Sequence, residues 1–296
     1  MYKFVVLILT LFTLGCEKTG HLKTNTTEDH SNNFQMAGQL KQILSEQPET
    51  TQERYTYRHP KETLNFFGIT PGMTVVEVLP GRGWYSKILL PYLGDTGTLI
   101  GADYDRDMFP LFGVFSDQWI QAKQTWIEDW TADALTWRSN QKTTVNAFVL
   151  GSMPDSMKQS ADAVLIIRAL HNLVRFRDQK DFLTAALQDF YDVLKPGGIV
   201  GVVQHEARPE MPDNWASGKN GYLKKAFVIT QFENMGFEYL GESAINQNPK
   251  DQPGSSDFVW RLPPSYRTSS DDPKLKAQFD LIGESNRMTL KFRKPL

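Results

Sequence analysis

The sequence predicts a doubly wound α/β fold on a mostly parallel sheet, and three observations predict it. Residues 74–86, TVVEVLPGRGWYS, run from a five-residue apolar strand through a glycine turn into a helical pattern. Seven strand-type runs recur along the chain and alternate for the most part with helical segments, which calls for parallel strands joined by right-handed crossovers. Finally, Lys195-Pro196-Gly197-Gly198 stops a long helical pattern just before one of the strands.

Taken in order, an amphipathic helix begins at Phe34, carries Met36, Leu40, Ile43 and Leu44 on one face, and ends before Pro48. Tyr55–Pro60 (YTYRHP) is aromatic and basic, and Pro60 suits the first turn of a helix over 61–67. The first strand covers 74–78, with Glu77 the only charge near its end, and the second covers 98–102 and ends on Asp103. Phe112, Phe115, Trp119, Ala122, Trp126 and Trp130 recur at steps of three or four, an apolar helix stripe that reads as core. Strands follow at 145–150, 163–167 and 199–203, the last two separated by a helix over 178–194. A helix over 221–235, a strand over 237–243 and a closing strand over 288–293 complete the pattern. Between the last two strands, 246–286 is rich in Pro, Ser and Asp, and reads as an insert without regular structure: a lid, a binding loop or a flexible excursion.

Ligands of such sheets sit beyond the carboxyl ends of the strands. Gly81 and Gly83 let backbone approach a ligand there, and the following helix offers unpaired N–H groups. Asp103, twenty residues beyond Gly83, can accept both hydroxyls of a ribose or cap the next helix; Asp105 and Asp107 can share either role. His171 and His205 follow the fourth and fifth strands, where an imidazole can take a proton near neutral pH or make a structural hydrogen bond. Arg168, Arg58 and His59 can hold an anionic substrate or form salt bridges, and Trp84 and Tyr85 read as packing.

Composition narrows the partners. A formal net charge of −2 supplies no basic excess for phosphate neutralisation, which argues against nucleic acid. The single cysteine, Cys16, excludes an internal disulfide and a cysteine-rich metal site, and His171, His205 and Glu206 lack a further spaced ligand, so no metal is expected. At the N-terminus, Lys3 precedes an apolar run over 4–14 that is too short to span a bilayer and has the proportions of an export signal. The Gly15-Cys16 ending resembles a bacterial lipoprotein signal, although Thr13 stands where leucine is usual. The chain therefore divides into a signal at 1–16, a polar tether at 17–33 and one domain at 34–296 that includes the insert. The expected location is exported and periplasmic, anchored to the membrane if Cys16 is lipidated; an ordinary cleaved signal and an uncleaved N-terminal anchor are the alternatives.

The motifs VVEVLPGRG, Asp103, LKPGG and the closing pair FEYLGES and MTLKFR resemble those of class I S-adenosylmethionine-dependent methyltransferases, over residues 55–295. More narrowly, EVLPGRGWYS, RALHNL, GVVQHEA and LKFRKP resemble a group of bacterial methyltransferases that carry export signals. The resemblance implies a Rossmann-like sheet of seven strands with an antiparallel last strand, and S-adenosylmethionine as cofactor. It gives Glu77 the ordering of the turn and a cofactor hydrogen bond, Gly81 and Gly83 backbone contact, Asp103 the ribose, and Arg168 a place in the cofactor site. Leu79 replaces the first glycine of the common turn, and Ser152 stands where an acid often meets adenine, with Asp155 three residues on. His171 and His205 become the candidate catalytic or acceptor-binding residues, for an acceptor the motifs do not identify. Two other functions share these features: an exported binding protein that kept the fold without catalysis, and a nicotinamide-dependent oxidoreductase. The second lacks the third glycine of its own turn, where Ser86 stands.

Overall fold

The computed structural model describes residue 36 and residues 38–138 and 140–296. The expected export signal at 1–16, the lipidation site Cys16 and the tether at 17–33 lie outside the described residues. Residues 38–45 are helical and bury Leu40, Ile43 and Leu44 as their spacing requires.

Seven strands form one sheet: β1 (Thr74–Val78), β2 (Thr98–Asp103), β3 (Thr144–Val149), β4 (Ala161–Ile167), β5 (Leu194–His205), β6 (Glu238–Ser243) and β7 (Arg287–Arg293). Their spatial order is β3-β2-β1-β4-β5-β7-β6. β1 to β5 run parallel, whereas β7 is antiparallel to both of its neighbours, β5 and β6. Strand order reverses between β1 and β4, and in open α/β sheets that crevice is where ligands bind.

The strands are continuous apolar runs because both faces are covered. Val76, Val78, Ile100, Val164, Ile166, Val200 and Val202 belong to one core layer, while Val75, Leu99, Val145, Ala163 and Leu165 belong to the other. Each fully buried side chain of this size contributes about 1.5–3 kcal/mol. Several glycines on the strands mark close packing: a Cβ at Gly101 would lie 2.6 Å from the Trp130 ring, and one at Gly201 would lie 2.6 Å from Phe67.

Five expectations change, the last of them in the insert. The long helix runs over Phe182–Val193 rather than 178–194, because the Asp181 carboxylate caps it by accepting from Thr184 N–H at 3.1 Å. The sequence that stops it is extended rather than a separate turn: β5 starts at Leu194, and Gly197, at φ 78°, donates its N–H to Lys294 O at 2.9 Å. The aromatic stripe is not one helix. Gly113 at φ 67° and the Ser116 cap break it into Met108–Leu111, Asp117–Ala122 and Trp126–Thr136, so Trp130 is core but Trp119 is 39% exposed. The helix expected over 221–235 starts only at Lys225, since Leu223 pairs with β5 through its N–H to His205 O at 3.0 Å.

The insert at 246–286 is built rather than irregular. It carries a 3-10 turn at Val259–Arg261 and a helix at Pro273–Ile282 capped by Asp272. Within it, Asp251 is buried and accepts from Tyr222 Oη at 2.8 Å, Arg261 Nη2 at 2.7 Å and Asn286 N–H at 2.9 Å. These bonds fasten the insert over the carboxyl ends of β4 and β5.

Candidate functional site

After β1 the chain turns through Leu79, whose φ of 52° lies in the left-handed region and explains why glycine is the commoner residue there. Leu79 holds the conformation by donating its N–H to Ala102 O at 2.7 Å, at the end of β2. Gly81 and Gly83 also have positive φ, 56° and 76°. Their surroundings differ. A Cβ at Gly81 would meet nothing nearer than Leu79 O at 4.0 Å, whereas one at Gly83 would lie 2.3 Å from the Trp137 ring. The open face of the turn is therefore at Gly81, and Gly83 is required by packing.

Glu77 is buried and accepts from Ser86 Oγ at 2.6 Å, tying β1 to the first turn of the helix Ser86–Leu93. Burial pushes its carboxyl up to about 8, against the pull of that hydrogen bond. Asp103 is also buried at the end of β2. Its carboxylate accepts from Tyr104 N–H at 2.9 Å and pairs with Lys123 Nζ at 2.6 Å. Burial raises its carboxyl above the usual range even though Lys123 pulls the other way. The Lys123 ammonium in turn lies 4.6 Å from the centre of the Phe109 ring, 4.9 Å from Trp119 and 5.8 Å from Trp126.

A cavity of about 300 Å³ opens beside the turn, at the ends of β1, β4 and β5. Leu79, Arg168, His171 and His205 line it together with Asn172, and the insert closes it with Trp260, Leu262–Ser265, Glu284 and Ser285. Of the residues singled out in the sequence, these four meet in one place. Gly81, Gly83 and Asp103 do not line the cavity, and Ser152 and Asp155 are exposed beyond β3, where Asp155 pairs with Lys158 at 2.8 Å. His59 lines a different depression, with Tyr57 and Asn248. Among the described residues no group of three or more His, Cys, Asp or Glu is arranged to hold a metal ion.

His171 sits in the first turn of the helix Leu170–Arg175, and its ring lies 5.4 Å from that of His205. Gln204 Nε2 donates to Gly221 O at 2.8 Å and to His205 O at 3.2 Å, so its Oε1 faces His171 Nδ1 at 3.3 Å as an acceptor. That orientation puts the His171 proton on Nδ1 and leaves Nε2 as a free base. His205 Nδ1 is 2.5 Å from Ser285 Oγ. Burial lowers His171 to about 4 and holds His205 well below the usual histidine range, with the Arg168 charge adding to both. Both imidazoles are neutral at neutral pH.

In the cavity wall, Glu284 is buried and faces four arginines: Arg54 Nη2 at 2.7 Å, Arg58 Nε at 3.1 Å, Arg287 Nη1 at 3.0 Å and Arg168 Nη1 at 3.7 Å. Burial alone would raise its carboxyl, but Arg287, Arg168, Arg58 and Arg54 hold it below the usual carboxylate range. Glu284, Ser285, Gln204, Arg54 and Arg287 were not among the candidates the sequence offered. Only Gln204, one residue before His205 at a strand end, had a local signal.

No family model matches the chain, and no curated protein does. Solved structures do match. The cyclase SpnF is similar at 14% identity over 81% of each chain, with a TM-score of 0.53. A SAM-dependent methyltransferase from Aquifex aeolicus is similar at 14% identity over 87% of this chain and 98% of its own, with a TM-score of 0.47. At such identity the likeness speaks for architecture, and the strand order together with the antiparallel β7 agrees with it: the chain has the class I methyltransferase-like Rossmann fold.

Proposed function

We propose that the chain transfers a methyl group from S-adenosylmethionine to an acceptor held in the cavity of Leu79, Arg168, His171 and His205. The observation that carries this reading is that Leu79 belongs both to the glycine turn and to the cavity wall, so a donor on the turn faces an acceptor in the cavity. The chain's own residues fit the donor in two respects: the face of the turn at Gly81 is open, and the acid Asp103 stands at the end of β2. Bound there, S-adenosylmethionine supplies an electrophilic methyl group on a sulfonium.

In this reading Gly81 and Leu79 give backbone contact, Glu77 orders the turn through Ser86, and Asp103 takes the ribose once Lys123 yields it. Gly83 admits Trp137 beneath the turn, while Ser152 and Asp155 flank the adenine side, and Arg168 bridges the donor and acceptor halves. Methyl transfer needs alignment and exclusion of water above all, and a base only where the acceptor must lose a proton. His171 fits that task because its Nε2 is unprotonated and the wall of the insert shields it. An export signal at 1–16 with lipidated Cys16 would put this chemistry at the periplasmic membrane.

The second reading is a binding protein that kept the fold without catalysis. The Asp103–Lys123 pair favours it, since the acid that would take a ribose already has a partner. Calorimetric titration with S-adenosylmethionine, S-adenosylhomocysteine and NAD separates methyl transfer from an oxidoreductase and from a protein in which Lys123 keeps Asp103 from the donor. Methyl transfer requires saturable heat with the first two ligands; heat with NAD alone, or with none, would sink it.

A further inference from the structure

The arginines around Glu284 exceed what that residue can balance. Four guanidiniums face one carboxylate, and among the described residues no other carboxylate lies within ion-pair range of any of them. Arg58 and Arg287 are nearly buried, at 7% and 3% exposure of the side chain, so water screens them poorly. Burial and their mutual repulsion pull Arg58 down to about 10 and also lower Arg168 and Arg287. His171 and His205 are neutral and offer no counter-charge. The excess leads to the cavity through Arg168, the one arginine of the four that lines it. Its Nε has no hydrogen-bond partner and its Nη1 is only loosely paired with Glu284, so the planar fork can take two oxygens of an anion. Ser285 Oγ and Asn172 line the same wall and can complete the coordination.

We propose that the cavity holds the acceptor by an anionic group, a carboxylate or a phosphate monoester, gripped by Arg168 within the field of Arg54, Arg58 and Arg287. This rests on the methyl-transfer reading for the word acceptor, although the anion site itself does not. Buried cations left unbalanced are costly, and a second anion beside Glu284 relieves them. At about 300 Å³ the space suits a small metabolite or the charged end of a larger one.

The test titrates the full chain with inorganic phosphate against chloride at constant ionic strength, following the thermal midpoint and the phosphorus resonance. Phosphate should raise the midpoint saturably where chloride does not, and Arg168→Gln should weaken phosphate binding about tenfold or more, the scale of a lost charged hydrogen bond. Arg168→Lys, which keeps the charge without the fork, should fall between. If phosphate acts no differently from chloride on the wild type, the anion site is overturned, whatever the variants do; a folded Arg168→Gln that binds phosphate like the wild type overturns it too. S-adenosylmethionine titrated with and without phosphate decides which ligand the anion belongs to. Unchanged donor affinity supports an acceptor, and competition would assign the place to the donor's own carboxylate and overturn this proposal. Selective phosphate binding without any donor binding would remove the methyl-transfer reading and leave the anion site standing.

Discussion

At the scale of single residues, two buried titratable groups pull stability in opposite directions with pH. The folded His171 is held near 4 while the unfolded side chain titrates near 6.5, so only the unfolded state takes up a proton between those values. Its neutral burial therefore contributes fully above about 6.5, and the contribution is lost as pH falls toward 4. His171→Gln should flatten that part of the stability profile. Glu77 is the reverse case: its folded carboxyl is raised from 4.5 to about 8, so its contribution is present below 4.5 and lost as pH rises through that window. Glu77→Gln, which keeps an acceptor for Ser86, should unfold at a higher temperature than wild type above pH 8, and the gap should shrink toward pH 5. A constant gap would mean Glu77 is not desolvated as the structure has it. In catalysis, His171→Gln should cost about 10²-fold or more in kcat if it is the base, with donor affinity unchanged. The acid limb of kcat/KM in the wild type should then lie near 4; a limb near 6.5 would remove His171 from the role.

Among the elements, the glycine turn and the broken aromatic segment decide access to the donor side. Alanine at Gly83 would drive a methyl into Trp137 and strain a positive φ, which should cost about 1–3 kcal/mol in chemical unfolding. Gly81→Ala meets no such wall and should cost only the backbone strain, about 1 kcal/mol, while weakening donor binding more than Gly83→Ala does. Both glycines were legible in the sequence as one turn, but their different tasks were not, because Trp137 reaches Gly83 from 54 positions away. The same holds for Asp103. Its place at the end of β2 followed from apolar patterning, whereas Lys123 was hidden inside a stripe that looked like one continuous helix until Gly113 and Ser116 broke it. Lys123→Ala should tighten binding of S-adenosylhomocysteine several-fold by freeing the carboxylate, measured calorimetrically. Weaker binding in a folded Lys123→Ala would show instead that the lysine helps to hold the ligand.

For the whole molecule, the strands could be read in order because each is a short apolar run set off by a helix, a glycine turn or a polar stretch. The closing strands β6 and β7 fit the antiparallel ending that the motifs implied. The insert could not be read that way. Glu284 meets Arg54 and Arg58 across 230 and 226 positions, and neither Pro, Ser nor Asp content signals such a contact. Half of the cavity wall was therefore invisible to local patterns, although Arg168, His171 and His205 on the other half were not. The most direct test of donor binding on this fold is a calorimetric titration of S-adenosylhomocysteine into wild type and Asp103→Asn side by side. The wild type should bind one equivalent saturably, and the variant should lose about 1–3 kcal/mol of affinity, the scale of hydrogen bonds to a charged group. No heat with the folded wild type, or equal affinity in the two proteins, would contradict donor binding at Asp103.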